Sequence, residues 1–394
     1  MSKSLLLITE EFPYPPTKGT WVDVWGQIVF FNRQGWEIIL ACRKSSHRNK
    51  NYSSLPIDIK VHFFPEKLSR WRLSEDNKII QEAQDLINQY KPQVVLCQYP
   101  LWVPLISSLN LQGAEIWFRP HNFELAQIFV KIPNTLSWKF WKLGNIIWFA
   151  KWARLIFYDA PQIFVLEYRM HHLADRLFYI SWGDMKLMRQ IYRGLASKEW
   201  VLPFLEERIV PAKENKEKIN VYYIGVGYDS RSTMQLSGAN KLLKQIIPAT
   251  ELAMPETFRF HFIGRGSKTY LKKYGSDTVV LHDFIEDLSA FLRQMDICCV
   301  PVEVGWGCKI KVVEALAFGI PVVAASQSLF GLPPTDGAYF NCQSIEDYIE
   351  GFRALRDLKT RKKMATKSRE LYDSYRLEGE KILKESLNKS SVRI

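Results

Sequence analysis

Apolar runs of five or six residues recur along the chain, separated by longer amphipathic stretches. SLLLIT (4–9), WEIILA (36–41), QVVLC (93–97), AEIWF (114–118) and QIFVL (162–166) are short and almost wholly apolar, the pattern of strands buried on both faces. Trp21–Arg33 and Glu75–Tyr90 read as helices, the second with apolar residues at three-to-four spacing. The charged stretch LEERIVPAKENKEK (205–218) interrupts this rhythm and reads as a linker. The alternation then restarts with NVYYIG (220–225), FRFHFIG (258–264), TVVLH (278–282), DICCVPV (296–302) and PVVAA (321–325). Strands alternating with helices predict parallel sheets covered on both faces.

Two such series predict an α/β protein of two doubly wound domains. We expect an N-terminal domain over 1–204, a linker over 205–219, a second domain over 220–365 and a C-terminal helix over 366–394. Ligands of such sheets bind at the carboxyl ends of the strands, here in the expected cleft between domains. The segment 344–392 is charged and keeps its apolar residues at helical spacing, which suits a solvated helix and one packing back on the N-terminal domain equally. The start, MSKSLLLITEEFPYPP, meets Glu10, Glu11 and prolines within a few residues, so it reads as a first buried strand and not as a leader. No window reaches the roughly 18 apolar residues of a spanning helix.

Composition narrows the classes. Of 394 residues, 47% are hydrophobic and 24% charged, the balance of a folded chain with a large core. Six cysteines show no Cys-x-x-Cys spacing, so a zinc site is not expected and a reduced, cytoplasmic setting is. A net charge of +12 favours an anionic partner, although a generally basic surface explains it as simply.

Candidate chemistry concentrates in GWGCKIKVVEALAFGIPVVA (305–324). A glycine-flanked loop leads into a helix near Ile310, with Gly319 as its stop and Pro321 opening the next strand. The free N–H groups and positive dipole end of such a helix suit a diphosphate, and Lys309 and Lys311 add full charges. Glu314, one turn in, is placed to accept from the paired hydroxyls of a ribose. The plainer alternative is a Lys311–Glu314 surface pair worth about 0.2–0.5 kcal/mol. Gly19 and Thr20 fall at the first strand-to-helix turn, a common phosphate contact, or else belong to a Pro-rich surface loop. IGVGYDS and IGRGSK lack the third glycine of a dinucleotide fingerprint.

In WFRPHNFE (117–124), Arg119, His121 and Asn122 directly follow an apolar strand, which favours a site over a lone structural histidine. The stretch 137–158 carries Trp138, Trp141, Trp148 and Trp152 among lysines and an arginine. It reads either as an interfacial helix for an anionic membrane or as a core helix whose lysines reach outward. Nucleic acid is not expected, because the basic residues form no stripe.

With these residues assembled, the chain resembles GT-B glycosyltransferases, and within them glycosyltransferase family 4. The likeness rests on FPYPPTKGT with GWEIILAC, on RPHNFE, and on YYIGVGYDS, FHFIGRG, LHDFIEDLSAFLRQMDICCVPV and GCKIKVVEALAFGIPVVAASQSLFGL in that order. The resemblance implies two Rossmann-like domains facing a central cleft. It also implies a retaining, metal-independent transfer of a hexosyl group from a UDP- or GDP-linked sugar, with no cofactor. The acceptor, a lipid-linked or other glycan, is left open. By the same resemblance Glu314 binds the ribose, Lys309 and Lys311 lie near the pyrophosphate, and Arg265 with Phe284 and Ile285 flanks the donor. His121 faces the transferred sugar, and Gly19–Thr20 approaches the phosphate. A second family glutamate, eight positions before Glu314, is here Trp306; Glu303 is the nearest acid and the candidate to replace it. Arg231 is a further candidate cation for the leaving diphosphate. The same fold admits a nucleotide-sugar epimerase or hydrolase, and Trp306 keeps open a non-catalytic sugar- or nucleotide-binding scaffold at a membrane. Glycan biosynthesis at the inner face of a membrane is the cellular setting expected.

Overall fold

The computed structural model describes residues 3–17, 19–43, 55–65, 76–131, 153–194, 196–205, 218–228, 233–335 and 337–391. The described residues cluster into two units, Met1–Phe204 with Glu378–Ile394, and Leu205–Leu377.

The first unit is built on a seven-stranded sheet of β1 (Ser4–Thr9), β2 (Glu37–Arg43), β3 (Lys60–Phe64), β4 (Val94–Gln98), β5 (Glu115–Arg119), β6 (Arg176–Tyr179) and β7 (Ser197–Trp200), in the order β3-β2-β1-β4-β5-β6-β7. Every pairing between these strands is parallel; β1, for instance, lies between Glu37–Cys42 and Val94–Cys97. Parallel strands need crossovers, and helices α1 (Gly19–Arg33) and α2 (Asn77–Tyr90) supply two of them. Asp76 caps α2 by accepting from the Ile79 N–H, and Lys91 closes it in a left-handed conformation. β1 is buried along its whole length, as its unbroken apolar run requires. Leu5, Leu7, Trp25, Ile28, Phe31, Leu40, Leu96 and Trp117 share one core with it.

The second unit carries a six-stranded parallel sheet of β8 (Ile219–Gly227), β9 (Phe258–Arg265), β10 (Val279–His282), β11 (Ile297–Val300), β12 (Val322–Ala325) and β13 (Tyr339–Cys342). Its order is β10-β9-β8-β11-β12-β13. Both sheets are thus the doubly wound type that the alternation predicts.

Three features depart from the sequence reading. QIFVL (162–166) is not a strand; it lies inside a helix, Ala160–Leu173, that has Pro161 in its first turn. Leu166, Glu167, Met170 and His171 form that helix's buried stripe, while Phe164, Val165 and Tyr168 face outward, so the five-residue apolar run straddles two faces. The short strands β3, β6, β7 and β13 were not anticipated; β7 reads Ser-Lys-Glu-Trp and is only half-buried. The C-terminal helix is a single element, Leu358–Ser391, longer than the expected 366–394 segment at its start. Leu383 and Leu387 of this helix join the first unit's core, and Ser390 Oγ donates to Glu115 Oε2 at 2.7 Å. The four tryptophans of 137–158 and most of the expected linker lie outside the described residues.

Candidate functional site

Polar groups collect at the carboxyl ends of strands in both units. In the second unit, β11 ends at Val300, and the loop that follows turns through Gly305 (φ 92°) and Gly307 (φ 82°) into a helix, Ile310–Ala317. Ser328 Oγ donates to Val302 O (2.8 Å) and Gln327 Nε2 to Gly305 O (2.8 Å), so a neighbouring helix holds the loop's path. Trp306 packs edge-on against Phe330, with ring centroids 5.0 Å apart. Lys309 stands at the N-cap position, and its ammonium donates to Trp306 O at 2.9 Å instead of capping the helix. The helix stops at Gly319, whose φ of 65° is the left-handed turn expected of a C-terminal glycine.

Lys311 turns inward. Its ammonium donates to Ile224 O of β8 and lies over the Tyr223 ring, 4.5 Å from the centroid. Burial pushes its pKa down to about 8; the nearby Lys309 charge adds to this, while Cys298 and Glu314 oppose it. Glu314 is half-buried one turn into the helix, close enough for its charge to be felt by Lys311, Tyr222 and Cys298. Glu303, the candidate replacement acid, is 53% exposed and paired with Lys241, whose ammonium lies 5.3 Å from the Tyr348 ring centroid.

The two Gly-x-Gly sequences meet at the ends of β8 and β9. A Cβ on Gly264 (φ 140°) would sit 1.8 Å from Gly225 O, so only glycine allows this approach. Tyr228 covers the pair, donating from its hydroxyl to Ile263 O at 3.2 Å and from its N–H to Arg265 O at 3.0 Å. Arg265 then projects over the Phe284 ring at 5.3 Å. Phe284 is 49% exposed and Ile285 half-buried, both on the loop after β10. The second unit therefore carries Arg265 at the end of β9, and Phe284, Ile285, Glu303, Lys309, Lys311 and Glu314 on the segments after β10 and β11, where a doubly wound sheet binds ligands. Arg231 lies outside the described residues.

In the first unit, Gly19 and Thr20 open α1, and His121 lies two residues beyond β5. Arg119 is not a surface group of the site. Its side chain is 2% exposed and makes a bidentate pair with Asp23 of α1, Nε to Oδ2 at 2.8 Å and Nη2 to Oδ1 at 2.7 Å. Burial would raise the Asp23 carboxyl, but Arg119, His121 and the Phe204 N–H together hold it below the usual carboxylate range. His121 is also buried; its Nε2 is 2.8 Å from Gln98 Oε1, and its ring stacks on Tyr99 at 4.6 Å. Burial lowers its pKa to about 4 against the pull of Asp23, so the imidazole is neutral near pH 7. Asn122 donates to Glu124 Oε1 at 3.3 Å.

Sequence reasoning missed Asp23, Gln27, Gln98 and Tyr99. A signal existed: Asp23 and Gln27 are four apart on one helix, and Gln98 is the polar end of an otherwise apolar strand.

Against known proteins, residues 224–355 match the family described as "Glycosyl transferases group 1". No curated protein sequence matches the chain. Among solved structures, sucrose-phosphate synthase from Thermosynechococcus elongatus superposes with a TM-score of 0.71 at 15% identity, covering 99% of each chain. HepE of Anabaena, solved with UDP and glucose, superposes with a TM-score of 0.65 at 11% identity, covering 98% of this chain and 99% of its own. TarM gives 0.63 at 12%, covering 99% of each. At such identities the likeness establishes the fold, which is GT-B: two Rossmann-like domains. All seven second-unit candidates, Arg265 to Glu314, fall inside the matched domain.

Proposed function

We propose that the protein is a retaining, metal-independent glycosyltransferase that moves a hexosyl group from a nucleotide-sugar donor held by the second unit. The observation that carries this reading is the Ile310–Ala317 helix start, with Lys309 at its N-cap, Lys311 in its first turn and Glu314 one turn in, inside the segment that matches the group 1 family. In glycosyl transfer the bond from the anomeric carbon to the diphosphate breaks, leaving negative charge on phosphate oxygens. A preorganised helix N-terminus stabilises that developing charge, and Lys309 and Lys311 add to it once their ammonium groups turn from Trp306 O and Ile224 O to the diphosphate. The acceptor hydroxyl attacks from the face the diphosphate leaves, and its proton passes to the departing phosphate oxygen. Glu314 accepts from the ribose hydroxyls, Arg265 with Phe284 and Ile285 flanks the donor, and Glu303 is the acid available to sugar hydroxyls. In the first unit, His121 offers a neutral nitrogen to a sugar hydroxyl, and Gly19–Thr20 offers helix N–H groups to an anion. HepE was solved with UDP and with UDP-glucose, which makes a UDP-linked hexose the first donor to try.

The acceptor we favour is a lipid-linked glycan, with the protein at the inner face of an anionic membrane. Support comes from the described end of the 137–158 stretch, where Phe157 is 75% and Tyr158 51% exposed beside Arg154.

The test is calorimetric and thermal titration with UDP, GDP, ADP and their sugar conjugates, with Glu314→Ala in parallel. A ligand at a hundred times its Kd stabilises by about 2.7 kcal/mol. One base alone should shift the melting temperature, and Glu314→Ala should weaken that base while leaving the unliganded melting temperature unchanged. A variant that binds as the parent does removes Glu314 from the ribose. Nucleotide released without acceptor as the main activity would replace transfer with hydrolysis or epimerisation, and no turnover of a bound donor would leave a binding scaffold.

A further inference from the structure

A directional hydrogen-bond chain runs from α1 to His121. Asp23, buried and ionised against Arg119, can only accept, so the Gln27 amide must turn its NH2 toward Asp23 Oδ2, at 2.8 Å. That leaves Gln27 Oε1 facing Gln98, which donates from Nε2 at 2.9 Å. Gln98 Oε1 then faces His121 Nε2 at 2.8 Å, and an acceptor there requires the proton on Nε2. A flip of either amide would put donor against donor or acceptor against acceptor. The network therefore puts a proton on Nε2, and burial beside the Arg119 guanidinium keeps the ring neutral, which leaves Nδ1 as the acceptor nitrogen.

Tyr99 adds the second constraint. Its backbone sits at φ 75° and ψ 151°, a region almost confined to glycine, immediately after β4. In that conformation its ring stacks on His121 at 22° between planes, and its hydroxyl bonds Thr20 at the start of α1. A non-glycine residue persists there only where the surroundings over-determine it. Gln98 before it is fully buried, and Pro100 after it opens the next helical turn.

We propose that Gln98 and Tyr99 are positioning residues that hold His121 as a neutral Nε2–H imidazole, leaving Nδ1 to accept a hydrogen bond from a ligand hydroxyl and tying its ring to the Thr20 helix start. The transfer reading above enters only through the activity arm of the test; the tautomer stands on the hydrogen-bond network and on the burial of His121.

The experiment is nitrogen-15 NMR of the full chain, labelled at histidine, at pH 7, with His121→Ala to assign the resonances. Wild type should show a pyrrole-type Nε2 and a pyridine-type Nδ1 at His121. Gln98→Leu should mix or reverse that pattern. Tyr99→Leu should move the His121 ring protons downfield as the stacked ring is lost, whereas Tyr99→Phe, which keeps the ring, should not. In parallel, nucleotide release from UDP-glucose should fall at least roughly tenfold in Gln98→Leu, with UDP affinity unchanged. A purely structural role would lower stability without moving the tautomer. An Nδ1–H or protonated His121 in wild type, or an unchanged tautomer in Gln98→Leu, overturns the proposal. An intact tautomer pattern in a wild type that turns over no donor would sink the transferase reading while supporting the positioning one.

Discussion

Asp23→Asn is the perturbation with the largest consequence for its size. It removes one charge and changes no volume, at a residue that is 0% exposed. Asp23 accepts from Arg119 Nε and Nη2, Gln27 Nε2 and the Phe204 N–H, at 2.7 to 3.2 Å. Arg119 would then remain as a charge buried to 2% exposure with no counter-charge, facing one amide oxygen, an NH2 that cannot accept, and Val201 O and Leu202 O at 3.2 and 3.3 Å. Breaking a buried pair by removing one partner costs about 3–5 kcal/mol. In a unit of this size each kcal/mol moves the melting temperature by about 2–4 °C, so a fall of roughly 6–20 °C is expected. Differential scanning calorimetry with urea titration measures it. The pair's contribution is present above the unfolded carboxylate pKa and is lost as pH falls through the lower folded one, so the gap between variant and parent should close in strong acid. Asp23→Leu with Arg119→Met should recover part of the loss, because an apolar pair leaves no buried charge. A cost below about 1 kcal/mol for Asp23→Asn would show that water reaches Arg119 and would refute the buried-network account.

Two further outcomes follow from the second unit. With Lys311 held near a pKa of about 8, nucleotide diphosphate affinity should weaken as pH rises through 8 to 9.5 and the ammonium is lost, with proton uptake on binding at pH 8.5 seen by calorimetry in buffers of different ionisation heat. Affinity flat over that range would mean that Lys311 stays on Ile224 O and never meets the phosphates. Gly264→Ala should destabilise by about 2–6 kcal/mol, from left-side φ strain together with a Cβ driven into Gly225 O, read as lost soluble expression or a lowered melting temperature; a parent-like melting curve would deny the close contact of β8 and β9.

Legibility differed by the kind of signal. Apolar strands such as Ser4–Thr9 and Ile297–Val300 were readable because a strand buried on both faces must be apolar throughout. The Ile310 helix start was readable because glycine spacing, lysines and the Gly319 stop are local signals. QIFVL was misread because five apolar residues fit a strand or part of a helix equally, and only its neighbours in space expose Phe164 and Val165. Likewise Ser197–Trp200 is a strand because β6 pairs with it, not because its residues prefer to be one.

Local order, the alternation of strand and helix, two doubly wound sheets and a cationic helix start are thus properties of the sequence by itself, since each depends on residues a few positions apart. Partners distant in the chain were decided by tertiary structure. Arg119 looked like a site residue until Asp23, 96 positions away, claimed its guanidinium. Lys311 looked like a surface cation until Ile224, 87 positions away, turned its ammonium inward. The last helix, readable as helix from spacing, joined the first unit's core only because Leu383 and Leu387 find Trp25 and Phe31 there. Period and composition fix what each segment can become, whereas the desolvation of a buried charge or apolar face is set by whatever the fold brings against it.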